Sequence, residues 1–111
     1  MHVEISTDTR TTVDAPAVTA TVESGLSRYR SRLARVEVHL RDVNGPKGGV
    51  ESRCVLEARP SGRQPEAVTN DALTSDEAVK GAIEKMNRLL VSLFGRLDDV
   101  RGGPSASGLP T

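Results

Sequence analysis

Apolar and polar residues alternate from His2 to Ser6, with Val3 and Ile5 on one side and His2 and Glu4 on the other, as in a strand buried on one face. From Asp14 the period changes. Val18, Val22, Leu26, Tyr29 and Leu33 follow one another at spacings of four, four, three and four, which predicts a helix that fades near Arg32. Asp14 is its expected N-cap, and Pro16 fits the first turn, where the N–H it lacks has no helical partner. Alternation returns at Val36, Val38 and Leu40, with Glu37, His39 and Arg41 outward. The stretch NGPKGG from Asn44 reads as a hairpin connection into a third strand over residues 51–59, which would bury Cys54, Leu56 and Ala58. After Pro60 and Gly62, residues 64–71 make a weaker fourth strand with Pro65 at its start or on an edge. Thr74 and Glu77 then form a T-x-x-E capping box, and Val79, Ala82, Ile83, Met86, Leu90, Leu93 and Leu97 mark a helix of about six turns.

The expected fold is therefore α+β, ordered βαβββα, a four-stranded sheet with two helices on one face. One domain accounts for residues 1–99. Residues 100–111, rich in Gly, Ser and Pro and without periodicity, read as a disordered C-terminal tail.

Composition narrows the function. The 15 basic and 15 acidic side chains cancel, so no overall field draws the protein to nucleic acid or membrane, and any such binding must come from local clusters. Cys54 stands alone and no apolar export segment follows Met1, so the expected compartment is the cytoplasm. His2, His39 and Cys54 match no metal-ligand spacing, NGPKGG lacks the phosphate-loop pattern, and no nucleophile motif is present. The reading is of a non-enzyme with no cofactor, no small-molecule substrate and no metal. Tyr29 and Phe94 are the only aromatics, which excludes RNA reading by stacked bases on a sheet.

What remains is a pattern of cations. LSRYRSRLARVEVHL brings Arg28, Arg30, Arg32 and Arg35 together with no acid from Ser24 to Val36. On a wheel, Gly81, Lys85, Arg88, Ser92 and Arg96 share the side of the last helix opposite its apolar stripe. Two helices on one sheet face could align these groups into a surface for RNA phosphates. The plainer alternative is a solvated helix surface, its cations balanced by Glu23 and Glu84.

The element order and two motifs resemble the ribosome hibernation-promoting factor and ribosome-associated inhibitor family, also called sigma-54 modulation proteins, in its short form. Leu26, Tyr29, Arg32, Leu33, Val36, Val38 and Leu40 fill every position of L-x-x-Y-x-x-R-[IL]-x-x-V-x-V-x-L. AVKGAIEKMNRLL is similar to A-I-D-x-x-x-x-K-L-x-R-Q-L, with Lys85, Met86, Arg88 and Leu90 in register. The resemblance implies a double-stranded-RNA-binding-domain-like fold, seated on the small ribosomal subunit where messenger and transfer RNA would bind, that silences translation in stress or stationary phase. Carried over by position, the rRNA contacts fall on Arg28, Arg32, Arg35, Lys85, Arg88 and Arg96. The chain departs from the family at Asp76, where an aromatic is usual, at Lys80, where an acid is usual, and at Ser92 and Phe94, where lysines are usual. With those cations lost and with Val91 and Phe94 extending the apolar stripe, the alternative expectation is a protein-interaction or weakly self-associating module that kept the fold.

Overall fold

The computed structural model describes residues 1–8, 11–44 and 49–102. The elements run β1 (His2–Thr7), α1 (Ala15–Gly25), a 3-10 helix (Ser27–Arg32), β2 (Leu33–Asn44), β3 (Val50–Pro60), β4 (Glu66–Ala72) and α2 (Ser75–Gly102). The strands lie in sequence order in one sheet: β1 is parallel to β2, and the other neighbours are antiparallel. This is the βαβββα architecture expected, with both helices on one face. No described helix is long and apolar enough to cross a membrane.

Register explains the one-sided core. Because paired residues share a face, Ile5, Val38, Leu56 and Val68 form one apolar row across all four strands, flanked by a row of Val3, Val36 and Ala58. On that face lie Met86, Leu90, Val79 and Ala82 from α2 and Val22 from α1, all buried. Burying a Leu or Val side chain contributes roughly 1.5–3 kcal/mol, so these rows hold the layers together. Cys54 lies in the same interior, and burial pushes its thiol up to about 12. A thiol reagent at mildly alkaline pH is expected to label the native chain far more slowly than the unfolded one. Fast native labelling would show that β3 opens readily.

Both helix starts follow the sequence. Ala17 N–H donates to Asp14 Oδ1 at 3.2 Å. Glu77 N–H donates to Thr74 Oγ1 at 3.1 Å, while the Thr74 hydroxyl donates to Glu77 Oε1 at 3.3 Å. The first helix departs from expectation at its end. It stops at Gly25, where the sequence pattern runs on to Arg32; Leu26 joins it to the 3-10 helix that carries Tyr29, and the spacing of three keeps both on the buried side. The reason lies in α2. A Cβ on Gly25 would stand 2.6 Å from Ile83 Cγ2, so the helices meet where α1 has no side chain, at a residue that itself disfavours helix. Asn87 seals the junction by donating its amide N–H to the Gly25 carbonyl at 2.8 Å.

β2 and β3 are longer than the alternation implied, and they pair from Leu33 with Pro60 to Asn44 with Val50, with an irregularity between Leu33 and Arg35. Residues 45–48, the centre of the NGPKGG turn, lie outside the described residues. Helix α2 continues to Gly102, three residues into the stretch read as tail, and residues 103–111 lie outside the described residues.

Candidate nucleic-acid interface

The cations named from the sequence are distributed around the molecule. On α2, Ile83, Asn87, Phe94 and Asp98 face α1 and the 3-10 helix, as their contacts with Gly25, Tyr29 and Arg32 show. Gly81 and Lys85 lie on the opposite flank, beside β4. A Cβ at Gly81 would collide with the Asn70 side-chain amide, and Lys85 Nζ donates to the Thr69 carbonyl at 2.7 Å. The Gly81–Lys85 side thus borders the open edge of β4 and does not point straight away from the sheet. Lys85 remains exposed, but one donor is spent on the backbone.

Arg32 is held. Its guanidinium lies 3.9 Å from the Phe94 ring centroid and forks onto Asp98, with Nη1 donating to Oδ2 at 3.3 Å and Nη2 to Oδ1 at 3.2 Å. Arg35 is on the other side of the sheet. It belongs to β2, in the row that pairs with His2 and Arg59, and donates to Glu37 Oε2 at 2.9 Å and to Glu4. A strand alternates its side chains, so Arg35, one residue before inward-facing Val36, must face away from both helices. The expected continuous surface across the two helices is therefore not formed by these six residues. Arg28, whose guanidinium is 5.4 Å from the Tyr29 ring centroid, stays exposed on the 3-10 helix. Arg88 and Arg96 are exposed on α2, about 12 Å apart along the axis at ~1.5 Å per residue. No ion pair to a described residue engages Arg28, Arg88 or Arg96.

The two residues expected to meet a partner separate in the same way. Val91 is 48 % exposed. Phe94 is 5 % exposed, its ring centroid 5.3 Å from that of Tyr29, and belongs to the core. Spacing alone sets it beyond the apolar stripe, but the 3-10 helix covers that second side of α2 with Tyr29 and Arg32. Leu73, 77 % exposed in the turn before α2, is an apolar surface residue that no periodicity marks.

The uncovered face of the sheet carries charge in rows. Glu4, Glu37 and Glu57 are paired across β1, β2 and β3, and Arg41, Arg53 and Asp71 across β2, β3 and β4. Arg53 donates to both Asp71 oxygens, at 2.8 and 3.0 Å, and this hydrogen bonding and charge hold the Asp71 carboxyl below its ordinary range. The contribution is present above the ordinary carboxylate pKa and is lost as pH falls through the lowered one, and solvent keeps it small. His39 does not meet His2 or Cys54: β1–β2 register sets it opposite Ser6, and Cys54 faces the helices.

A cleft of about 250 Å³ between the starts of the two helices is lined by residues that include Val13, Val18, Thr21, Ser75 and Val79. Its described lining residues include no histidine, lysine or cysteine, and the Ser75 hydroxyl is paired with that of Ser52 at 3.3 Å.

No protein-family profile matches the chain, and no curated protein does. Solved structures do. The fold is similar to that of a ribosomal subunit interface protein from Coxiella burnetii, with a TM-score of 0.65 and 15 % identity over 86 % of this chain and 99 % of that one. It is also similar to the N-terminal domain of Protein Y from Thermus thermophilus, with a TM-score of 0.64 and 14 % identity over 84 % of this chain and 99 % of that one. At such identities the likeness is one of fold, and the fold that this chain shares, nearly end to end, is that of these two proteins.

Proposed function

We propose that the chain is a cytoplasmic, ribosome-associated protein that binds rRNA of the small subunit and inhibits translation by occupying the messenger and transfer RNA site in stress or stationary phase. The observation that carries this reading is the shared fold, which spans 99 % of both a ribosomal subunit interface protein and the Protein Y N-terminal domain. Arg28, Arg88 and Arg96 are its first contacts, since each is exposed and has no ion pair among the described residues. Lys85 adds a partial contact. Arg32 and Arg35 join only by exchanging a carboxylate for a phosphate, which gains little.

The carboxylate pairing of Arg32 and Arg35, with Val91 and Leu73 exposed, favours a second reading, a protein-interaction module without ribosome affinity. Sedimentation separates the two. The ribosome reading expects the chain to travel with the small subunit at low salt and to be released as salt rises, with log K falling by about 0.7–0.9 per phosphate contact against log salt. Absence from the subunit fraction at every salt, with a mass that grows with concentration, would establish the second reading instead.

A further inference from the structure

We propose that Glu37, His39 and Glu57 form a binding site for a zinc-class divalent ion on the open face of the sheet. The β2–β3 register sets Glu37 opposite Glu57, and His39 projects from the same face two residues further along β2. One ligand atom from each lies within 4.8 Å of the other two. His39 Nε2 is already 3.4 Å from Glu37 Oε1. Zinc bonds of ~2.0–2.2 Å need ligand atoms somewhat closer than this, and small rotations of side chains that are not packed into the core supply the difference.

The electrostatics ask for a cation. Like charges directly opposite one another on neighbouring strands are unfavourable, and here three carboxylates, Glu4, Glu37 and Glu57, stand in one row. Arg35 answers two of them, bridging Glu4 and Glu37 Oε2. Glu57 has no ion pair among the described residues: Arg59 lines the same small gap without reaching ion-pair distance. Arg35 also does what outer-shell groups do around metals. It holds Oε2 of Glu37, while Oε1 is the oxygen that lies beside His39.

The donor set selects the ion. One imidazole nitrogen with two carboxylate oxygens suits zinc and its first-row neighbours, whereas calcium and magnesium take all-oxygen shells. Three protein ligands leave a coordination position open to water or to a group from a partner. All three sit on paired strands, which fixes their spacing better than a loop would. The proposal does not depend on ribosome binding.

The test is titration of the full chain, freed of metal by chelator, with zinc chloride, read by calorimetry and by the thermal midpoint. One ion per chain and a raised midpoint are expected. His39→Ala and Glu57→Gln should each weaken binding by more than roughly tenfold, the loss that even an outer-shell substitution causes, and His2→Ala should bind as the parent does. All three side chains are on the exposed face, so circular dichroism should show each variant folded. Absence of saturable binding, or binding that survives both His39→Ala and Glu57→Gln, or binding lost on His2→Ala, would overturn the site.

Discussion

Replacing Arg88 and Arg96 together by glutamate is expected to remove the protein from the small-subunit fraction without unfolding it. Each guanidinium is exposed on the surface of α2 and has no carboxylate partner among the described residues, so each can give its full charge to a phosphate. A charge-assisted hydrogen bond contributes about 1.5–3 kcal/mol, so losing two lowers affinity on the order of 10²–10⁴-fold, and the reversed charges add repulsion. The salt slope should shrink by about one for each lost contact. Arg35→Gln is the control: this side chain faces away from the helices and is already engaged by Glu4 and Glu37. If Arg35→Gln releases the ribosome and the double reversal does not, the interface is the open sheet face, and Arg88 and Arg96 are bystanders.

The largest expected stability effect is at Phe94. Removing a buried phenylalanine ring costs about 3–5 kcal/mol, a sizeable part of the ~5–15 kcal/mol that holds a domain of this size folded. Phe94→Ala would leave Tyr29 without its ring neighbour and Arg32 without the surface its guanidinium lies on. A fall of more than about 10 °C in the thermal midpoint is expected. Val91→Ser, one helical turn earlier and half exposed, should change stability by about 0.5 kcal/mol or less. Equal melting of parent and Phe94→Ala would mean that the ring is not buried in solution and would return Phe94 to the surface.

The contrast between these residues shows which parts of the structure were legible in the sequence. Local rules read correctly: Asp14 and Thr74 cap their helices, and Val36, Val38 and Leu40 face inward, because each depends on neighbours within a few positions. What the sequence hid depends on distant partners. α1 ends at Gly25 because Ile83 approaches it, Arg32 is neutralised by Asp98, 66 residues away, and Arg35 by Glu4, 31 residues away. A wheel or a cluster of arginines reports where a charge leaves the backbone and not what meets it there. Glu37 and His39 could be read as outward neighbours, but Glu57 joins them only once the β2–β3 register is known.

The chain's connectivity bears on the order in which its parts can be assembled during synthesis. β2 and β3 each pair with the strand made next, but β1 pairs with β2 only after α1 and the 3-10 helix have been added, and α1 meets Ile83 and Asn87 only when α2 exists. Polypeptides emerge from their N-terminus. Val3 and Ile5 therefore stay without their strand neighbour until β2 has been made, and the Gly25 end of α1 without its cover until α2 has, so the N-terminal elements of this fold wait on segments encoded downstream of them.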